Sequence, residues 1–189
     1  MSSVMKKALG SAWAQLPPGL QAHYQDGAST DEGAMDIDFP WFIRLHLSVL
    51  RCFGVLINRR GQHVPTVVQK TSQGERQHWQ RTMTFADGQQ VQFNSVWQHA
   101  GPNQLLEYVK PYLALLTAVA VRDGQLHYSG ICFVVQLGKW QLRLPEWLLG
   151  HTSIVERGVG DSSYVMDFRL THPWFGQVFR YAGSFNTRS

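Results

Sequence analysis

Charged residues are scarce in this sequence. Only 16% of its 189 residues are Asp, Glu, Lys or Arg, whereas about 25% is usual for a globular domain. The formal net charge of +4 is spread along the chain, and Lys6-Lys7 and Arg59-Arg60 are its only adjacent basic pairs. A nucleic-acid-binding protein normally carries a basic stripe interleaved with exposed aromatic residues. The charge pattern therefore argues against nucleic acid as a partner.

Cysteines and short catalytic motifs are equally rare. Cys52 and Cys132 stand far apart in apolar surroundings, which predicts two buried, reduced thiols. The sequence has no CxxC, HExxH, GxSxG or GxGxxG, so it carries no familiar metal, nucleophile or dinucleotide motif. A metal site assembled from distant strands by His78, His99 and His127 is the alternative. Their spacing favours surface histidines, and we expect no metal and no other cofactor.

Long uninterrupted apolar runs are also missing. The N-terminal residues contain no signal-peptide core, so we expect a cytoplasmic protein. Residues 39–56 are apolar around most of a helical circumference, with Asp38 as the expected N-cap. Because Arg44 and Arg51 interrupt this segment, it is expected to be a helix held against a sheet rather than a membrane span. Contact with a membrane surface is the alternative.

From residue 62 onward the sequence has a hydrophobic period of two, which is typical of β-strands. The candidate strands are 63–71, 75–85, 90–99, 103–109, 112–122, 126–137, 140–144, 152–159, 162–171 and 175–184. Turn dipeptides such as Asp87-Gly88 and Asp123-Gly124 separate them. Successive strands joined by short turns indicate an antiparallel meander.

The residues before the strands predict helical and irregular structure. Apolar residues recur at helical spacing over 4–16, and Pro17-Pro18 ends this first helix. Residues 19–24 are expected to form a turn, and the acidic stretch 28–38 an edge strand or a loop.

These elements together predict one α+β domain over residues 1–189. Its core is expected to be a strongly curved, mostly antiparallel β-sheet, a half-barrel or barrel-like, packed around one long apolar helix with an additional N-terminal helix. Curved sheets of this kind often enclose a ligand cavity.

The stretch QHWQRTMTF, residues 77–85, places an arginine on an apolar strand face. Alternate residues put Trp79, Arg81, Met83 and Phe85 on that face. A three-residue loop, 86–88, would pair odd residues with odd ones in the next strand. That register keeps both apolar faces on one side of the sheet, whereas a one-residue slip would separate them. We therefore expect Arg81 to face an aromatic-lined interior.

A buried guanidinium needs an anionic or carbonyl partner, because an unpaired buried charge is very costly. One interpretation is structural: Arg81 pairs with Glu107, Glu156 or Asp167. The other is that Arg81 binds the acidic group of a ligand, since its planar fork suits a carboxylate or phosphate. The candidate ligand-binding residues share this predicted inner surface and are Trp79, Arg81, Phe93, Trp97, Glu107 and Asp167.

Two short motifs interrupt the strands with large apolar residues. The motif LPEWLLG at 144–150 predicts a helical turn, which either closes one end of the sheet or acts as a lid. The motif HPWFG at 172–176 places Trp174 and Phe175 in a tight turn. Such a turn could be a docking surface for a membrane or a partner.

Several motifs together resemble a bacterial family of domains of unknown function. They are Leu16-Pro17, Trp79-x-Arg81-x-x-x-Phe85, Glu107, LPEWLLG at 144–150, Asp167-Phe168, His172-Pro173, Gly176, Tyr181 and Gly183. Members of that family occur alone and fused behind saccharopine-dehydrogenase-like NAD-binding domains. The resemblance implies a family without a function, and no NAD-linked activity follows from it because GxGxxG is absent.

Three function classes are compatible with these features, and the sequence favours a binding module over an enzyme. The first is a module that holds a small, largely apolar ligand with an acidic group. The second is a protein-interaction domain that acts with a dehydrogenase-like partner. The third is an enzyme that uses a pocket formed by Arg81 and a carboxylate, and a cavity-lining carboxylate that is free of Arg81 would favour it.

Overall fold

The computed structural model describes residues 3–43, 59–148 and 150–188. Within them lie eleven β-strands. In chain order these are β1 (Ser29–Asp38), β2 (Gly61–Gln73), β3 (Arg76–Thr84), β4 (Gln90–Gly101), β5 (Gln104–Lys110), β6 (Leu113–Arg122), β7 (Gln125–Leu137), β8 (Trp140–Pro145), β9 (His151–Gly158), β10 (Ser163–His172) and β11 (Gly176–Arg188). The predicted strands from residue 62 onward are confirmed, with shifts of a few residues at their ends.

The described strands form a closed antiparallel barrel. Their order is β6-β5-β4-β3-β2-β1-β11-β10-β9-β7-β8, and β6 also pairs with β7. That extra pairing closes ten strands into a ring. Strand β8 lies outside the ring and pairs with the second half of β7, while β9 pairs with the first half. The predicted barrel-like, antiparallel sheet is therefore confirmed.

The turns follow from local sequence. In the β3–β4 connection, the Phe85 N–H donates to the Gln89 carbonyl at 2.9 Å, and Gly88 has a φ of 78°. Residues 86–88 thus form a three-residue loop with a left-handed glycine, a common hairpin connection. Arg81 pairs with Phe93, and Met83 pairs with Val91, which confirms the register that we predicted.

Helices close one end of the barrel, which we call the helical end. The α-helix α1 (Val4–Leu9) begins with the Ser3 hydroxyl accepting from the Lys6 N–H at 3.2 Å and continues as a 3₁₀ helix, Gly10–Gln15. A second α-helix, α2, spans Pro18–His23. The predicted N-terminal helix is confirmed, but the turn predicted at 19–24 is wrong. Proline at the first turn of α2 is compatible with a helix start, and this signal outweighs Gly19.

The long helix predicted at 39–56 is not seen. Of the described residues in it, Trp41–Ile43 form a short 3₁₀ helix, and residues 44–58 lie outside the described residues. The barrel interior is instead filled by strand side chains and by His23 and Tyr24 from the end of α2. The segment 28–38 is not an edge, because β1 pairs with both β2 and β11.

Candidate functional site

A cavity of about 110 Å³ lies in the middle of the barrel. A site for one water needs roughly 10–15 Å³, and an engineered apolar cavity of about 150 Å³ can hold benzene. Its lining is mainly aromatic and aliphatic. Predicted site residues in this lining are Trp79, Arg81, Phe93, Trp97 and Glu107. The cavity therefore has room for a small ring or a short chain.

Two stacked tryptophans form one wall of the cavity. The rings of Trp79 and Trp97 lie 4.7 Å apart between centroids, and both residues are buried. Neither indole N–H has a hydrogen-bond partner among the described residues. Buried donors are nearly always paired in folded proteins, and an unpaired one costs about 1–3 kcal/mol. These two indole N–H groups are therefore donors that the described part of the chain leaves unpaired in the wall of the cavity.

Arg81 lies beside this pair, between two aromatic rings. Its guanidinium carbon is 5.1 Å from the centroid of the Trp79 ring and 5.4 Å from that of Phe93. One terminal nitrogen donates to the Ser95 hydroxyl at 2.9 Å, and the other is 3.6 Å from a Glu107 oxygen. Because a guanidinium has five N–H donors, these described contacts use only part of its capacity.

The structure shows which of the three candidate carboxylates pairs with Arg81. Of the three candidates, Glu107 forms the ion pair. Asp167 lies outside the cavity, because its neighbours Met166 and Phe168 line it and side chains alternate along a strand. Its carboxylate pairs with Arg180 at 2.9 Å and with Arg169 at 2.7 Å. The structure does not bring Asp167 together with the other predicted site residues.

Glu156 lines the cavity without pairing with Arg81. Its carboxylate accepts a hydrogen bond from the Tyr24 hydroxyl at 2.6 Å, and the Tyr24 hydroxyl is also hydrogen-bonded to that of Tyr128. Burial raises the pKa of Glu156 to about 7, although the Tyr24 hydrogen bond and Lys70 act in the opposite direction. The Glu156 carboxyl is thus suited to gain or lose a proton near neutral pH.

A buried ionic cluster supports this wall from the helical end. Lys70 Nζ lies 2.9 Å from Asp31 Oδ2 and also donates to the His23 carbonyl. The hydroxyls of Tyr164 and Thr187 donate to Asp31 at 3.1 Å and 2.8 Å. The cluster fixes α2, and with it Tyr24, against the sheet.

The pKa shifts of the cluster follow from burial and from the contacts within it. Burial alone would raise the pKa of Asp31, but His23 and Lys70 hold it well below its usual value. Burial and the nearby Lys70 lower the pKa of His23 to about 4, so this imidazole is neutral at pH 7. Lys70, rather than His23, is therefore the cationic partner of Asp31, and Asp31 opposes the lowering of the Lys70 pKa that burial causes.

Sequence reasoning missed most of these polar residues. Lys70 could have been found in the same way as Arg81, as a cation on the apolar face of a strand. It continues the alternate positions of the buried Val64, Thr66 and Val68 in β2. Nothing local marks Tyr24, because its partner Glu156 is 132 residues away.

The remaining predicted features have structural positions. Within the described ranges, no three His, Cys, Asp or Glu side chains converge on a possible metal position. Cys132 is a buried free thiol, and Cys52 lies outside the described residues.

Glu146 of LPEWLLG is in a 3₁₀ turn, where its carboxylate accepts from the Thr152 N–H at 2.9 Å and so caps β9. None of the described helices has the length and apolar character needed to cross a bilayer.

A protein-family model matches most of the chain. The model of a family described as "Domain of unknown function (DUF4166)" matches residues 16–185, which cover the barrel strands and α2. No curated protein matches the sequence.

Proposed function

The chain belongs to the DUF4166 family, and we propose that it is a binding module for a small, largely apolar ligand with an acidic group. The apolar part occupies the aromatic cavity, and the acidic group binds Arg81. The observation that carries this proposal is a partly satisfied arginine beside two buried indole N–H donors that have no partner among the described residues.

The chemistry of the lining supports this class of ligand. An anionic oxygen near Arg81 would receive charge-assisted hydrogen bonds, which are roughly twice as strong as neutral ones. Trp79 and Trp97 would add donors or ring faces to the same group. The nearby Glu107 offsets part of the Arg81 charge, so the site suits one negative charge better than two. The cavity volume of about 110 Å³ limits the apolar part to one small ring or a short chain.

The test uses a matched pair of probes, 4-fluorobenzoate and the neutral 4-fluorobenzamide, with binding followed by ¹⁹F NMR. We expect the wild type to prefer the benzoate and Arg81→Met to lose that preference, which corresponds to a change of about 10- to 100-fold for a lost charged hydrogen bond. The variant Arg157→Met removes an exposed arginine on β9 and is the control. Equal affinity of wild type and Arg81→Met for benzoate would contradict the proposal.

A second candidate function is an enzyme that uses Glu156 as a general acid or base. Glu156 is the cavity carboxyl that is free of Arg81, and its pKa of about 7 suits proton transfer at neutral pH. This function predicts slow hydrogen–deuterium exchange into a bound carbonyl compound, catalysed by wild type and lost in Glu156→Gln. Cyclohexanone in deuterated buffer is a suitable first probe.

The remaining expectations stay predictions. They are a bacterial origin, relatives fused to saccharopine-dehydrogenase-like domains, a protein partner of that kind, and cytoplasmic residence. A protein-interaction role requires no cavity ligand, so the probe experiment also separates it from the binding module.

A further inference from the structure

The barrel end opposite the helical end carries a cluster of six large exposed apolar side chains, five of them aromatic, which we call the aromatic rim. Its members come from three separate connections and are Trp41, Phe42, Trp147, Leu148, Trp174 and Phe175. Each is at least 45% exposed, and Trp41 and Trp174 reach 79% and 76%. Scattered exposed apolar residues are ordinary, but a contiguous group of large ones marks an interaction surface.

Ring contacts join the three connections. Phe42 contacts Phe175 with 6.5 Å between ring centroids, and Trp147 contacts Trp174 at 6.4 Å. His172 packs against both Trp174 and Phe175, at 5.4 Å and 4.8 Å. The rim is thus a set of neighbouring loop tips, and its rings touch one another while most of their surface stays exposed.

The charges at this end favour a negatively charged surface as the partner. Lys110, Lys139 and Arg143 are exposed, and no ion pair to them occurs in the described part of the chain. Of the acidic residues at this end, Asp38 and Asp87 are matched by Arg60 at 3.4 Å and Arg59 at 2.6 Å, and Asp36 lies 3.6 Å from His63. Free cations therefore lie at the same end as the exposed rings.

We propose that the aromatic rim docks this protein on the surface of a lipid bilayer that contains anionic lipid. Trp and Phe side chains on protruding loops place their rings at the headgroup level, where an apolar ring and a polar N–H are both accommodated. Lys and Arg side chains at the same end of the barrel gain from the negative surface potential of such membranes. Peptide ligands dock in shaped grooves. The rim is a cluster of protruding loop tips, and such a shape favours a soft bilayer interface over a peptide as its partner.

The proposal does not depend on the cavity ligand, because the rim and the cavity use different side chains. Arg81→Met is therefore expected to bind vesicles as wild type does. Failure of vesicle binding with retained benzoate preference would overturn only the docking proposal, and the reverse result would overturn only the ligand proposal.

The test is co-sedimentation of the full chain with vesicles of phosphatidylcholine, with and without phosphatidylserine. We expect binding to the mixed vesicles and at least a tenfold loss in the double variant Trp174→Ser, Phe175→Ser. The matched control is Val67→Ser, Ile131→Ser, which removes two exposed apolar side chains from the barrel wall. This control should bind within about twofold of wild type, where tenfold corresponds to about 1.4 kcal/mol.

Two further measurements distinguish a loss of vesicle binding from a loss of folding. The charge reversals Lys139→Glu and Arg143→Glu should abolish the increase caused by phosphatidylserine and leave the thermal unfolding curve unchanged. Lipids with brominated chains should quench tryptophan fluorescence in wild type more than in Trp174→Phe. No sedimentation of wild type, equal losses in rim and wall variants, or a rim-dependent dimer without vesicle binding would each overturn the proposal.

Discussion

Replacing Glu156 with glutamine should change how the stability of the protein depends on pH. Glu156 is buried, accepts a hydrogen bond from Tyr24 and has a pKa raised from 4.5 to about 7. Glutamine resembles the protonated carboxyl in shape and keeps an oxygen that can accept from Tyr24. The variant therefore isolates the effect of ionising this one group.

The sign and size of this pH dependence follow from the linkage between proton binding and folding. A folded-state pKa above the unfolded value means that the folded state binds more protons between the two values. The stabilising effect of Glu156 is fully present below pH 4.5 and is lost as the pH rises through about 7. The shift of 7 − 4.5 = 2.5 pKa units, at about 1.4 kcal/mol per unit, corresponds to about 3–4 kcal/mol. Relative to wild type, Glu156→Gln should gain about that much stability between pH 4 and pH 9.

The assay is urea unfolding followed by tryptophan fluorescence at several pH values, with the difference between variant and wild type plotted against pH. Glu75→Gln makes the same substitution at a highly exposed carboxylate and is the control. A flat difference for Glu156→Gln would refute the reasoning, since it would mean that the carboxyl ionises in the folded protein as readily as in water.

Two further substitutions test the packing around the site. Lys70→Met should cost about 3–5 kcal/mol of unfolding free energy because it leaves the buried Asp31 carboxylate without its cation, whereas Lys7→Met at a surface pair should cost less than about 1 kcal/mol. Gly130→Ala should cost about 1–3 kcal/mol, since a Cβ there would lie 1.4 Å from the carboxylate that caps β9. Gly160→Ala, where the nearest atom is at 3.6 Å, should be neutral. Urea unfolding of the four variants measures these costs, and equal effects within either pair would contradict the corresponding argument.

The sequence predicts the strands well because the period of two and the turn residues are local signals. The β3–β4 register is an example. The Asp87-Gly88 dipeptide alone allows two loops, and the requirement that Trp79, Arg81 and Met83 share a buried face selects the correct one. Closure of the barrel could not be predicted in this way. It depends on pairing β1 with β11 and β7 with β9, and no local pattern specifies which strands that are distant in sequence will pair.

At the helical end, the sequence does not indicate which helical segment contributes side chains to the barrel interior. Residues 39–56 have the stronger helical periodicity, yet α2 supplies His23 and Tyr24 to the barrel interior. A six-residue helix carries too few positions for a periodic signal, so its role is decided by long-range partners. Asp31 and Lys70 hold His23, and Glu156 holds Tyr24.

The inward-facing charges explain why ligand binding and Glu156 ionisation should be coupled. The cations Lys70 and Arg81 are balanced by Asp31 and Glu107, so the interior is neutral when Glu156 is protonated. Ionising Glu156 then gives the interior a net negative charge. A negatively charged ligand bound at Arg81 would be repelled by the ionised Glu156 carboxylate. The cavity contains little water, so this repulsion is poorly screened. An anionic ligand should therefore raise the pKa of Glu156, and the protein should bind that ligand more weakly as the pH rises through about 7.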